Sequence, residues 1–200
     1  MKTWSTWFPD LLPQLPGCPD PLIEHELLRA CQTFFTRTRA WQVVQPLVAI
    51  TANQTTLDIV PSDSTQDPVR IEAAWLDGQR LAVMTAGDMD KAFTDDWQLH
   101  TGSTSTIVQI TPNTLMLYPI PVAASSTGLK LRLSVKPGDT ATGIPDDMYS
   151  KYKDALTDGA LSRLMLQADK KWTNDQKGMI KAASFEASMG TVSALSLIHI

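Results

Sequence analysis

The chain has 200 residues, 43% of them hydrophobic and 19% charged, with six Trp. That mixture is globular and excludes the high-charge, low-apolar class that stays disordered. With 17 basic against 21 acidic residues the net charge is -4, and no run of Lys or Arg offers an electrostatic footprint for nucleic acid.

Residues 1–19 are rich in Pro and Trp and end in Leu15-Pro16-Gly17-Cys18-Pro19, which reads as an irregular, extended leader. It lacks the unbroken apolar stretch of a signal peptide, and no segment reaches the ~20 apolar residues that cross a membrane. The expectation is a protein made in the cytosol. Asp20 suits a helix N-cap and Pro21 the first helical position. Ile23, Leu27, Ala30, Cys31, Phe34, Thr38 and Trp41 then recur at steps of three and four, which predicts a helix over about 21–40 within a helical segment 20–41.

From 42 to 137 the helical spacing disappears. Leu129 to Lys136 alternates strictly between apolar and polar, the pattern of a half-buried strand. Ile71 to Leu76 leads into Asp77-Gly78, a type I′ hairpin signal, and Leu81-Ala82-Val83 returns. Segments 46–51, 55–60, 106–110 and 114–118 are further strand candidates. The 84–104 stretch is long and polar, and its length points to a loop that is functional or mobile. Residues 138–189 are helical again. Tyr149, Tyr152, Leu156, Ala160 and Leu164 share one face, and Thr173 with Gln176 spells a capping box for the next helix, on which Met179, Ala182, Phe185 and Met189 repeat. The expected fold is α+β. The N-terminal helix and a C-terminal helical hairpin make a small bundle, and an inserted antiparallel β-sandwich-like domain sits between them in the chain.

Side chains arranged for catalysis are scarce. His25-Glu26-Leu27-Leu28-Arg29 begins like a zinc-protease helix, but Arg29 stands where the second His must be. The acidic group Asp88, Asp90, Asp95 and Asp96 fails the calcium-loop test, because Phe93 and Leu99 fill the places that need Gly and Glu. The pairs Asp95-Asp96 and Asp146-Asp147 carry no mark of desolvation, and the second reads better as charge at a helix N-terminus. Asn53-Gln54-Thr55 matches a glycosylation acceptor by chance. The two cysteines, Cys18 and Cys31, fit no disulfide framework or metal site. The expectation is a non-enzymatic protein with no cofactor and no metal. Of the Trp residues, most sit at element edges and plug junctions. Trp4 and Trp7, in a leader without structure of its own, also suit an anchoring role on another subunit.

Several stretches resemble the head-to-tail adaptor proteins that sit beneath the portal ring of tailed bacteriophages. Leu15 to Ile23 with Phe34 to Trp41 resembles the family's opening helix, and Trp75-Leu76-Asp77-Gly78-Gln79-Arg80-Leu81 its hairpin. Leu117-Tyr118-Pro119-Ile120-Pro121 is similar to the strand before its last strands. Ile144 to Tyr149, Tyr152, Asp158 to Leu161 and Lys171-Trp172 are similar to its C-terminal hairpin. The resemblance implies a virion structural protein at the head–tail junction, forming a homo-oligomeric ring, a dodecamer. It would join the portal protein to a downstream tail or nozzle protein and hold packaged DNA only as channel content. The helical part would dock on the portal and the β-domain would face the tail. The leader, the 84–104 loop, and Trp4, Trp7, Phe8, Lys170, Lys171, Trp172, Met189 and Val192 are the expected portal or subunit contacts. The alternative is a tail-associated β-sandwich module for a glycan or host receptor, which exposed aromatics in 84–104 would favour.

Residues 190–200 are apolar and nearly uncharged, which suits an arm that orders on binding. Leu195-Ser196-Leu197-Ile198-His199-Ile200 also resembles the translation of a sequencing-library adapter. On that reading these six residues are an artefact and stand outside the fold.

Overall fold

The computed structural model describes residues 1–93, 96–125 and 127–198, with side chains to Ala194. Two compact units emerge, one from Met1–Trp41 with Lys136–Ile200 and one from Gln42–Val135.

The N-terminal segment coils where an extended leader was expected. Strand β1 (Lys2–Thr3) gives way to a 3-10 turn at Trp4–Trp7, helix α1 (Phe8–Leu11) and a second 3-10 turn at Leu12–Gln14. The prolines permit this because Pro9 and Pro13 each fall in the first turn of a short helical piece, where no N–H is needed. The spacing of Trp4, Trp7, Leu11 and Leu15 puts all four on the buried side. Helix α2 (Asp20–Thr38) starts one residue before the expected place, with Pro19 at the cap and Asp20 and Pro21 in the first turn. It buries Ile23, Leu27, Ala30, Cys31, Phe34 and Phe35. Arg39 ends it in the left-handed region at φ 52°, its N–H bonding the Phe35 carbonyl.

The second unit holds β2 (Gln42–Val44), β3 (Thr56–Asp58), β4 (Gln66–Leu76) and β5 (Gln79–Thr85). Helix α3 (Ala86–Ala92), β6 (Thr101–Gly102), β7 (Thr106–Thr111), β8 (Thr114–Tyr118), β9 (Ile120–Pro121) and β10 (Leu129–Pro137) follow. Seven strands form one curled sheet in the order β2-β10-β4-β5-β7-β8-β3, and β6 pairs separately with β9. Asp77 and Gly78 both take positive φ, 49° and 82°, and Leu76 pairs with Gln79. That is the two-residue turn the dipeptide favours. Segment 46–51 yields only a bridge from Val48 to Leu129.

The sheet is mixed where an antiparallel one was expected, because β5 runs parallel to β7 and β6 parallel to β9. Parallel neighbours need a long crossover, and residues 86–105 supply it. The 84–104 stretch is therefore built structure, with α3 and a 3-10 turn at Trp97–Leu99. Met89, Trp97 and Val108 make a buried cluster there, flanked by Met84, Phe93, Met116 and Tyr118. Asp95, named above as an acidic candidate, lies outside the described residues.

Back in the first unit, β11 (Gly143–Ile144) pairs antiparallel with β1. Helices α4 (Asp146–Met165) and α5 (Asp175–Ile198) follow. Gly178 approaches Leu166 while Gly159 approaches Phe185, so the two helices run antiparallel, and α2 packs on both. Arg37 holds Glu186 through both carboxylate oxygens at 2.7 Å, Arg163 reaches Thr33 at 2.8 Å, and Lys181 and Ser184 clasp Asp158. The cap of α5 is Asn174, whose Oδ1 accepts from Lys177 N at 3.0 Å. Thr173, the expected cap, is occupied in the turn, donating to the Gln167 carbonyl and accepting from Lys170 N. The backbone of 190–198, expected as a free arm, continues α5. No proline interrupts it, and Thr191 Oγ1 bonds back to the Ala187 carbonyl. The side chains of 195–200 lie outside the described residues.

Candidate interaction surface

The side chains expected at an interface fall into two places in the first unit, and several are covered by their own chain. Trp7 is fully buried, edge-on to Tyr149 at 4.6 Å and 5.9 Å from Trp4. Trp4 is buried too, and its Nε1 donates to the Ala141 carbonyl at 2.8 Å. The physical reason is area: a tryptophan with a groove on its own helices within reach satisfies its burial there. Phe8 is half-buried at the start of α1. At the α4–α5 turn Trp172 is buried while Lys170 and Lys171 are exposed. The Lys171 stem lies beside Gly17, which takes a positive φ of 77°. The turn therefore abuts the end of the N-terminal segment, and the two lysines with the exposed Asp169 are its charged surface.

Met189 is buried on α5, in an open groove of about 340 Å³ lined by Arg37, Glu186, Gly190 and Ser193. Val192, one turn further, is half-buried. The structure does not bring Met189 and Val192 together with the Lys170–Lys171 turn.

Among the described residues no cluster of three His, Cys, Asp or Glu side chains could hold a metal ion. No helix among them is long and apolar enough to cross a membrane. His25 lines an open cleft of about 430 Å³ with Glu24, Thr3, Trp4 and Thr142. Cys18 and Cys31 are free and buried, and burial pushes the Cys31 thiol well above its ordinary value.

Asp88 belongs to the fold. It closes a capping box with Thr85 at the start of α3, the Thr85 Oγ1–Asp88 Oδ2 bond being 2.7 Å. The Thr85 hydroxyl and backbone hold the Asp88 carboxyl below the usual carboxylate range. A lowered value means the contribution is complete above the ordinary carboxylate range and is lost as pH falls through the lowered value. Amide exchange should therefore show α3 fraying once the pH falls below the ordinary carboxylate range, and Thr85→Ala should abolish that pH step while fraying α3 at every pH.

Sequence reasoning missed the exposed apolar residues of the second unit, Val44, Leu47, Val60, Leu99, Ile110 and Val122. Scattered singly along the chain they carry no pattern. The sequence model of the SU10 adaptor protein family matches residues 8–197, which takes in both units.

The chain belongs to that family.

It is an adaptor protein of tailed bacteriophages, a structural protein of the virion, and the family resemblance carried by its ordered motifs is the one shown. No curated protein matches this adaptor. The aromatics of 84–104 that a glycan-binding reading needed to be exposed are folded inward, Trp97 being buried and bonded through Nε1 to Asp90 at 2.9 Å.

Proposed function

We propose that this adaptor joins the portal to the tail without catalysis. Copies close into a dodecameric ring beneath the portal, extend the DNA channel and receive the next tail or nozzle protein. The observation that carries the reading is the family match across residues 8–197, reinforced by residues that resemble the family in both units. A ring requires heterologous contacts, one patch meeting a different patch on the next copy. In this reading the helical unit docks on the portal, and the exposed Lys170 and Lys171 supply charged contacts at the α4–α5 turn.

The test mixes the full chain with purified portal protein of the same phage and images the product by negative stain, with its mass taken in parallel. A ring seated on the portal is expected. A chain that never associates with portal overturns the reading. Lys170→Glu with Lys171→Glu should weaken portal retention by roughly tenfold at low salt, and less as salt rises. Salt-independent retention in that variant would remove the lysines from the docking surface.

A further inference from the structure

The tip of the β4–β5 hairpin is tied to the entry of β10 through one carboxylate. Asp77 and Gly78 make the two-residue turn, a place that Asp and Asn both suit. The turn accounts for the backbone of Asp77 and leaves its carboxylate unexplained. That carboxylate meets residues 48 and 50 positions further along the chain. Its Oδ1 accepts from Ser125 Oγ at 2.7 Å, from Thr127 Oγ1 at 2.8 Å and from Thr127 N at 3.0 Å. Hydrogen bonds to an ionised acceptor are about twice as strong as neutral ones. Three on one oxygen make a firm joint between two segments remote in sequence.

The joint reaches past the residues that touch it. Ser125 Oγ, which donates to Asp77, accepts in turn from Gly128 N at 2.7 Å, and each bond in such a chain polarises the next. Gly128 takes φ 90°, and a methyl group there would stand 2.8 Å from the Val48 carbonyl oxygen. Val48 and Leu129 then exchange backbone bonds of 2.9 and 2.7 Å. The chain therefore enters β10 held by Val48 and by Asp77. Lys130 stands 5.9 Å over the Trp75 ring, so hairpin and strand meet again just beyond the joint.

This entry point bears on the register of β10. Leu129, Leu131 and Leu133 are buried while Lys130 is exposed. A slip of one residue would turn the leucines outward and the lysine inward. Strand β10 lies between β2 and β4 in the sheet, so the error would reach both neighbours.

We propose that Asp77 is a positioning residue for β10. Its carboxylate, acting through Ser125 and Thr127, fixes where that strand begins against the hairpin. The inference concerns the second unit alone and does not rest on the ring reading.

The test is amide exchange on the full chain. Asp77→Gly removes the carboxylate and keeps the turn, which Gly-Gly also adopts. The Gly128 and Leu129 amides bond Ser125 Oγ and the Val48 carbonyl, so neither loses its own acceptor in that variant. Both should nevertheless exchange at least tenfold faster, roughly the effect of losing one hydrogen bond to a charged group. Amides of the β4–β5 hairpin should keep their rates. Asp77→Asn keeps the turn and one acceptor oxygen without the charge, and should give about threefold. Ser125→Ala breaks the same joint. At Leu129 it should therefore add less to Asp77→Gly than it does to the wild-type chain. Wild-type rates at Gly128 and Leu129 in both Asp77 variants overturn the inference, and Val48 then holds the strand by itself. Equal acceleration throughout the hairpin overturns it too, because Asp77 would then act only through its turn. If Asp77→Gly does not fold, Asp77→Asn alone decides.

Discussion

Phe34→Ala is expected to destabilise the helical unit by about 3–5 kcal/mol, the range for deleting a buried aromatic ring. Phe34 is fully buried on α2. Its ring meets Phe35 edge-on at 5.4 Å, Tyr152 of α4 at 5.1 Å and Phe185 of α5 at 6.1 Å. One side chain therefore touches all three long helices, and its removal opens a cavity at the place where they meet. The surrounding residues cannot close it easily, because Cys31, Leu156 and Ala160 are already fully buried. Denaturant unfolding followed by helical circular dichroism measures the loss. A shift below about 1 kcal/mol would mean that the helices pack without this ring. Phe34→Leu keeps an apolar branched side chain and much of the volume, and should recover about half of the loss. Portal binding should weaken in proportion if the assembled helices, rather than an isolated α5, form the docking surface.

Helix α2 was legible because its apolar residues keep one period for nineteen positions. The hairpin was legible because Asp77-Gly78 is a local signal, needing only its own two dihedrals. Where the reading failed, the deciding interaction was remote. The N-terminal segment coils because Trp4 and Trp7 find Ala141 and Tyr149 more than a hundred residues away, and no local window contains those partners. The 84–104 crossover hides for another reason. Its helix has seven residues, too few for a period, and its box carries Asp88 where the usual signature has Glu or Gln. The parallel β5–β7 pair follows from that hidden crossover, since an unstructured loop would have allowed a hairpin. The family was legible as an ordered set of weak motifs.

Gly143→Ala is expected to release the N-terminal segment and destabilise the helical unit by about 3 kcal/mol, at the upper end for forced overlap in a packed site. A methyl group at 143 would overlap the Lys2 carbonyl oxygen and stand 2.7 Å from its carbon and 2.9 Å from Thr3 Cα, all of them backbone atoms. No rotamer relieves such a clash, so β1 must leave β11. The Trp4 N–H bond to Thr142 at 3.2 Å and the Trp4 Nε1 bond to Ala141 go with it. Trp4 then loses both anchors and Trp7 loses its cover, so tryptophan emission should shift to the red and limited proteolysis should cut near residues 1–15. Gly190→Ala is the matching control. Nothing lies within 4 Å of a methyl group there and the position is helical and exposed, so that variant should gain about 0.5–1 kcal/mol. If Gly143→Ala leaves emission and proteolysis unchanged, the β1–β11 pair does not hold the segment, and the burial of Trp7 against Tyr149 holds it alone. If the segment is released, the variant also separates two roles for the tryptophans. Buried, they stabilise their own helices. Freed, they are exposed to any partner, and portal retention measured on the same variant tests whether release weakens or strengthens the docking proposed above.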